Sequence, residues 1–252
     1  MILAAFRAAA PRTFERHLRL DRLIASAIRW KLFGTGPLAS QPMSIQGFLR
    51  SDPGLDRPDM QFQVIHVSYM ARPWFPGVLP GAGHQISCGS LLLSPQSRGS
   101  VAAITADPRQ QPRILFNLLQ DDSDLQAMIR MFHFMRRFFA TAPASQMVGP
   151  ELMPSPAVEG DAGIEAYVRA AAITGMHSSG SCAMGHGAKA VVDPELKVHG
   201  IAGLRVADAS ILPRIVRGNT NAPVIMIAEK AADLILGKAP PQPIATDTGD
   251  LP

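Results

Sequence analysis

Cysteine, long apolar runs and a secretory leader are scarce or lacking in this chain, and each shortage excludes a class of protein. Only two cysteines occur, Cys88 and Cys182, and they lie far apart without a pairing pattern, which argues against a disulfide framework and indicates a reducing compartment. Every apolar stretch is broken by Arg, Glu or Lys before the roughly 18–20 residues that cross a bilayer. The start, MILAAFRAAAPR, has no basic residue ahead of its apolar stretch, unlike a secretory signal, and only faintly resembles a transit peptide. We therefore expect a cytoplasmic protein without a transmembrane segment.

The net charge of +4 comes largely from the first fifty residues, where Arg and Lys recur among apolar residues in ERHLRLDRLIASAIRWKLF. Such a segment is either a helix for a membrane surface or an acidic partner, or an ordinary amphipathic helix with a solvated face. The ordinary helix is the favoured interpretation, and a peripheral membrane location stays open. Nucleic-acid binding would need basic residues interleaved with exposed aromatics. No such stripe or module is present, so no nucleic-acid partner is expected.

The spacing of apolar residues predicts three helices before residue 175. The first spans about 12–33 and is ended by the turn residues GTGP. The second spans about 122–141 and begins with the acidic DDSD, where the helix dipole favours negative charge. A third lies near 160–173, after a proline-rich loop at 143–156. The second helix is expected to face the core, on one side that consists of Leu125, Met128, Ile129, Phe132, Met135 and Phe139.

Three β-prone segments lie between the first two helices, at 61–69, 85–94 and 99–106. Clusters of Pro and Gly separate them, and no helical pattern lies between them. This arrangement predicts an antiparallel sheet rather than a series of βαβ units. The expected fold class is therefore α+β, with an antiparallel sheet covered by helices.

A dinucleotide-binding unit of the βαβ type is missing. That unit needs a strand, then G-x-G-x-x-G or G-x-G-x-x-A, then a helix whose N-terminus receives the pyrophosphate. Two stretches match the letters alone: Gly34, Gly36 and Ala39 follow a helix, and Gly185, Gly187 and Ala190 lie in a loop. No acidic residue follows about 20 positions later in the required place. Both are interpreted as chance matches.

Four segments together resemble the glucose/methanol/choline (GMC) flavoprotein oxidoreductases, closest to the choline dehydrogenase-like alcohol dehydrogenases. HSSGSCAMG at 177–185 resembles the family motif His-Pro-x-Gly-Thr-Cys-x-Met-Gly, and LRVADASILPRIVRGNTNAPVIMIAEKAADLI resembles its C-terminal signature. FGTGPLASQPMSIQGFLRSDPGLDRPDMQFQ and SPQSRGSVAAITADPRQQPRILFNLL resemble parts of its substrate domain. The likeness covers about 15–238. The chain departs from it at Ser178, where Pro is usual, and at Met176, where an aromatic is common.

The resemblance implies a division of the chain. Residues 1–175 would form the substrate-binding domain, 176–238 a C-terminal segment of the FAD-binding domain, and 239–252 a flexible tail. In this fold the C-terminal strand and helix complete an FAD-binding α/β domain whose N-terminal, ADP-binding part is missing here. The chain is accordingly expected to be a fragment, a truncated product, or one piece of a split enzyme with a separate chain as partner.

Oxidising an alcohol requires a base within hydrogen-bond reach of the hydroxyl, and a neutral histidine suits that role near pH 7. By resemblance His177 is this base, and Asn221 occupies the place where the family puts a second His or Asn on the alcohol oxygen. Asn donates a hydrogen bond without titrating, so it would orient the oxygen without competing for the proton. No protein side chain accepts a hydride, so FAD is required, with its N5 as acceptor.

The residues around Asn221 also suit a cofactor. Pro223 fits the first turn of a helix, and free N–H groups at a helix start would stabilise negative charge on the flavin. By resemblance Asn221, Ala222 and Pro223 therefore contact the flavin, and Asp208 and Ala209, at the end of an expected strand LRVAD, contact its ribityl and phosphate portion. Asn221 could also be a helix N-cap, and Asp208 could merely cap a turn.

No metal is expected. His177, Cys182 and His186 lack a fourth ligand and follow no recognised zinc spacing. Four further histidines without a constellation are interpreted as structural: His66, His84, His133 and His199. Two functions remain open. The chain is an FAD-dependent dehydrogenase of a primary alcohol, or the substrate half of one, or it is a flavin-free module that binds partners without catalysis.

Overall fold

The computed structural model describes residues 1–239 of the chain. Contacts between residues divide the protein into two units, Met1–Met176 and His177–Pro252. The functional roles assigned to 1–175 and 176–238 from the sequence stay predictions. Of the predicted tail 239–252, everything after Ala239 lies outside the described residues.

The first unit is built on a five-stranded antiparallel sheet in the order β2-β3-β4-β1-β7. A separate two-stranded antiparallel sheet pairs β5 with β6. The strands are β1 Ile2–Ala8, β2 Met43–Leu49, β3 Met60–Ile65, β4 Gln85–Leu92, β5 Ser100–Ala102, β6 Arg113–Leu115 and β7 Val148–Met153.

Four α-helices accompany the sheets in the described residues: α1 Leu20–Phe33, α2 Asp122–Ala140, α3 Gly160–Ala171 and, in the second unit, α4 Asn221–Ile235. Helix α2 confirms the prediction over 122–141. Its first turn is stabilised by Asp121, whose carboxylate accepts from Ser123 N at 3.0 Å. The six apolar residues predicted for its core-facing side are all buried.

The core of this unit lies between α2, α3 and one face of the sheet. Side chains alternate between the two faces of each strand, so every second row of paired residues faces α2. Two such rows from β3, β4 and β1 are Phe62, Ser90 and Ile2, and Val64, Cys88 and Ala4. Cys88 Sγ lies 3.6 Å from Met135 Sδ, and burial raises the pKa of its thiol. Cys88 is therefore a core residue rather than a reactive one.

An ion pair joins α2 to the edge of the sheet. Arg136 donates to Glu151 of β7, with Nη2 and Oε2 2.9 Å apart, and its Nη1 donates to Val158 O at 2.8 Å. The guanidinium also lies 4.7 Å from the centre of the Phe132 ring, a cation–π contact. Because this Arg is largely buried and meets a carboxylate, a carbonyl and a ring at once, it fixes the position of β7 on α2.

The predicted strands 61–69 and 85–94 are confirmed as β3 and β4, whereas 99–106 contributes only the three residues of β5. The structure adds four strands that the sequence reasoning missed, β1, β2, β6 and β7. Strand β7 occupies the predicted loop 143–156 and pairs with β1 through two register shifts. Such an irregular pairing needs no clean alternation of polar and apolar residues, so the sequence gives little sign of it.

Helix α1 begins at Leu20, after a 3₁₀ turn at Phe14–His17, and ends at Gly34, whose φ of 64° lies in the left-handed region. The predicted C-terminal end of this helix, residue 33, is confirmed, but the helix begins at Leu20 rather than near residue 12. The expectation of an ordinary amphipathic helix is wrong for this chain. The apolar ridge of Ile24, Ile28 and Leu32 is 59%, 55% and 68% exposed rather than packed into the core.

The second unit has its own small core, in which Ile227 and Ala231 of α4 pack against Ile211, Val192 and Leu196. The predicted strand LRVAD, 204–208, does not form. Its backbone makes one isolated bridge, Lys197 with Arg205. A strand needs a partner along its length, and within the described residues no extended segment lies beside this one for more than a single bridge.

In the part of the chain that the structure describes, no helix is long and apolar enough to cross a membrane.

We expect Phe132→Ala to lower the free energy of unfolding of this chain by about 3–5 kcal/mol, because the Phe132 ring is fully buried between α2 and Tyr167 of α3 and its loss leaves a cavity. Urea denaturation followed by circular dichroism measures the change. The matched control is Phe33→Ala at the end of α1, where the ring is 71% exposed and the expected change is below about 0.5 kcal/mol. Equal losses in the two variants would contradict the proposed core.

Candidate active site

The ring of His177 is held at both of its nitrogens. Nδ1 lies 2.9 Å from Thr220 Oγ1, and Nε2 lies 3.1 Å from Asn219 Nδ2. Thr220 is buried, His177 is half-buried and Asn219 is exposed. The two partners are consecutive residues directly before α4, so the start of that helix fixes the plane of the imidazole.

These contacts fit one arrangement of donors and acceptors. With Asn219 in this orientation its Nδ2 donates and His177 Nε2 accepts. The Thr220 hydroxyl can accept as well as donate, so its contact with Nδ1 fits the tautomer that carries its proton on Nδ1. Nε2 faces the exposed Asn219 side chain.

The loop that follows His177 is attached to the segment around Ser210. The Ser210 carbonyl accepts from Gly180 N at 3.1 Å and from Cys182 N at 3.0 Å, and the next carbonyl, that of Ile211, accepts from Met184 N at 2.8 Å. Gly180 has a φ of 88°, which favours glycine. These bonds join the histidine loop to the 3₁₀ turn Ala209–Ile211, so the two segments form one backbone framework.

Asp208 and Ala209, the predicted contacts of the cofactor's ribityl and phosphate portion, lie at the start of this 3₁₀ turn. The Asp208 carboxylate accepts from Ser210 N at 2.8 Å, which is the turn-capping role left open from the sequence. Asp208 is exposed, so its second oxygen is open to a ligand. Capping therefore does not remove it from the predicted cofactor role.

Helix α4 begins at Asn221, with Thr220 as the N-cap residue, so Asn221 is the first helical residue rather than the cap. Pro223 lies in the first turn, as predicted, and carries no N–H. The first backbone donor used by the helix is Val224 N, which donates to Thr220 O at 2.9 Å. The N–H groups of Asn221 and Ala222 have no partner among the described residues, and both residues are exposed.

The structure does not bring Asn221 to His177 by a hydrogen bond; Asn219 and Thr220 occupy that place. The catalytic role predicted for Asn221 stays a prediction. The sequence contains both amides in GNTN, and the one that bonds to His177 is Asn219.

No metal centre competes with this arrangement within residues 1–239, where no group of three or more His, Cys, Asp or Glu side chains is placed to hold an ion. Cys182 is half-buried and contributes its backbone N–H to the loop framework.

Comparison with known proteins identifies the family of the chain. A family model described as GMC oxidoreductase matches residues 95–228, which include both the histidine loop and the start of α4. The oxygen-dependent choline dehydrogenase of Stenotrophomonas maltophilia is 40% identical over 227 residues, which are 88% of this chain and 40% of that protein. The protein of the same name from Paraburkholderia phymatum is 42% identical over 216 residues, 86% of this chain and 37% of that protein.

Two solved structures share the fold. A variant of the formate oxidase of Aspergillus oryzae matches with a TM-score of 0.80 and 24% identity, over 94% of this chain and 45% of the oxidase. An FAD-dependent oxidoreductase from Chaetomium thermophilum matches with a TM-score of 0.73 and 18% identity, over 94% and 46%. The chain thus spans less than half the length of each of these four proteins. Because the family model matches more than half of its residues, the chain belongs to the GMC oxidoreductase family.

Proposed function

We propose that this chain is the substrate-binding and catalytic half of an FAD-dependent dehydrogenase that oxidises the CH–OH group of a choline-like primary alcohol. The observation that supports the proposal most directly is the paired contact of His177, with Nδ1 on Thr220 and Nε2 on Asn219. Enzymes of this family act on CH–OH groups, and the relatives in Stenotrophomonas and Paraburkholderia are choline dehydrogenases by name. A cytoplasmic location stays a prediction.

His177 Nε2 is the proposed base. A substrate hydroxyl that displaces the Asn219 amide from Nε2 would donate its proton to the imidazole and accept a hydrogen bond from the displaced Nδ2. The Nδ1–H bond to Thr220 keeps the acceptor nitrogen available, because a neutral imidazole with its proton on Nδ1 has its basic pair on Nε2. Asn219 orients the oxygen and does not titrate, so the proton moves only to the histidine.

The start of α4 offers a set of donors that suits the flavin. The unpartnered N–H groups of Asn221 and Ala222 stand at the positive end of the helix dipole. They fit an anionic or carbonyl oxygen, as on the pyrimidine end of an isoalloxazine ring. Asp208 and Ala209 are the proposed contacts farther along the cofactor. When bound, FAD supplies the acceptor of the hydride that no side chain provides.

The proposed partner is a segment or separate chain that carries the ADP-binding half. This chain spans about 40% of the choline dehydrogenases that it matches, so most of such a protein lies outside it. Ile225 and Met226 of α4 are 54% and 63% exposed, close to the proposed flavin contacts. Apolar side chains at such a position favour burial against a second protein surface.

Coexpression of this chain with the N-terminal part of the Stenotrophomonas choline dehydrogenase tests the proposal. We expect a copurifying yellow complex that absorbs at about 450 nm, as oxidised flavins do, and that reduces an artificial dye in the presence of choline or another primary alcohol. The control is this chain expressed alone. A colourless preparation in both cases, with no dye reduction, would contradict the enzyme and favour the flavin-free module.

Substitutions in that complex test the roles of the side chains. We expect His177→Ala to lower kcat by roughly two to four orders of magnitude, the usual contribution of a general base, while the 450 nm absorption persists.

The two neighbouring amides provide a matched comparison. We expect Asn219→Ala to lower kcat/KM by about ten- to a hundredfold, which is the range for a hydrogen bond to a group that becomes charged. We expect Asn221→Ala to lower kcat/KM less, because the Asn221 side chain makes no hydrogen bond to His177. Steady-state dye reduction measures both. The assignment of Asn219 is wrong if the loss appears in Asn221→Ala instead.

A further inference from the structure

A cavity of about 200 Å³ in the unit Met1–Met176 lies against the 3₁₀ turn Phe14–His17. Four of its lining side chains are guanidinium or imidazole groups, those of Arg12, Arg16, His17 and His66. Two neutral donors, Ser40 and Gln41, complete its polar wall. None of its ten lining residues in the described chain carries a carboxylate, so the cavity presents positive charge and hydrogen-bond donors.

The two imidazoles are fixed in place. Arg16 Nε donates to His17 Nε2 at 3.0 Å, and His66 Nδ1 lies 2.7 Å from Ser44 Oγ. The Phe14 ring is near both, with its centre 5.5 Å from that of His17 and 6.1 Å from that of His66. The structural interpretation given to His66 from the sequence stays a prediction, and its ring also lines the cavity.

Neither of the two acids near this turn lines the cavity. Glu15 lies in the same turn but is buried, and its Oε1 accepts from Ala82 N at 2.9 Å. Asp21 is paired with Arg19, whose Nε lies 2.7 Å from its Oδ1. Burial lowers the pKa of His17, and the charges of Arg16, Arg22 and His66 lower it further. Burial and Arg16 also lower the pKa of His66.

We propose that this cavity binds a phosphate group. Two guanidinium groups match the geometry of phosphate oxygens and hold a dianion by charge-assisted hydrogen bonds. The two imidazoles, disfavoured as cations without a ligand, become favoured beside a dianion. His17 Nε2 gains its proton as Arg16 Nε leaves it and turns to the anion. A carboxylate carries one charge and two oxygens, and it would leave part of this donor set without a partner. The cavity belongs to the first unit and shares no residue with the site around His177.

Calorimetric titration of the whole chain with inorganic phosphate tests the proposal. We expect saturable binding with a Kd at or below about 1 mM and a weakening of about ten- to a hundredfold in Arg16→Gln, since a hydrogen bond to a charged group is lost. The matched control is Arg113→Gln on β6, which removes the same charge from an exposed position outside the cavity. The proposal fails if the chain binds no phosphate, or if the two variants bind it equally.

Two further titrants identify the source of the phosphate. Tighter binding of glycerol phosphate than of inorganic phosphate assigns the cavity to a phosphorylated small molecule, and equal or weaker binding assigns it to the free ion. Acetate is the third titrant. If acetate binds as tightly as phosphate, the cavity is a general anion site and the proposal is overturned.

The pH dependence follows from the histidines. A bound dianion raises the pKa of His17 and His66 above their lowered values in the free cavity, so protons are taken up on binding and the affinity rises as the pH falls. Sulfate is the suitable probe because its two charges stay constant over the range. We expect its affinity to rise between about pH 7.5 and pH 5.5. An affinity that is flat or falls over this range contradicts the participation of the imidazoles.

Discussion

The contacts of the His177 ring with Asn219 and Thr220 join the histidine loop to the start of α4. One hydrogen bond joins Nδ1 to the buried Thr220, and the other joins Nε2 to the exposed Asn219. Because both partners directly precede α4, any shift of that helix turns the imidazole as well. The Ser210 and Ile211 carbonyls attach the rest of the histidine loop to the same unit. The site is therefore held by short backbone and side-chain bonds, with a small apolar core beneath them.

The first unit is held by a different kind of interaction. Helix α2 buries an apolar face against the sheet, and Arg136 connects that helix to β7 and to the loop before α3. The hydrophobic contribution is large and without direction, whereas the Arg136 bonds are directional and set where the edge strand lies. The first unit therefore provides a rigid support for its surface sites, which include the cavity beside Phe14.

Large aliphatic side chains are exposed on two helices. The ridge of α1 and the side of α4 that carries Ile225 and Met226 are both open to solvent. Larger exposed apolar patches are common at interfaces. The relatives are more than twice as long as the matched region, so the same surfaces have a natural explanation in a longer assembly. This agrees with a proposed function that needs a second half to hold the flavin.

The sequence by itself determined the family, helices α2 and α3, and strands β3 and β4, and it predicted a candidate site in 177–223. These features depend on local signals: a 3.6-residue apolar period, acidic residues at a helix start, and a run of motif letters. Only the tertiary structure decided that Asn219 and Thr220, rather than Asn221, meet His177. It alone also placed β1, β2 and β7 in one sheet and gathered Arg12, Arg16, His17 and His66 around a cavity. The reason is physical, since strand pairing and side-chain convergence join residues far apart in the chain, and no local period encodes them.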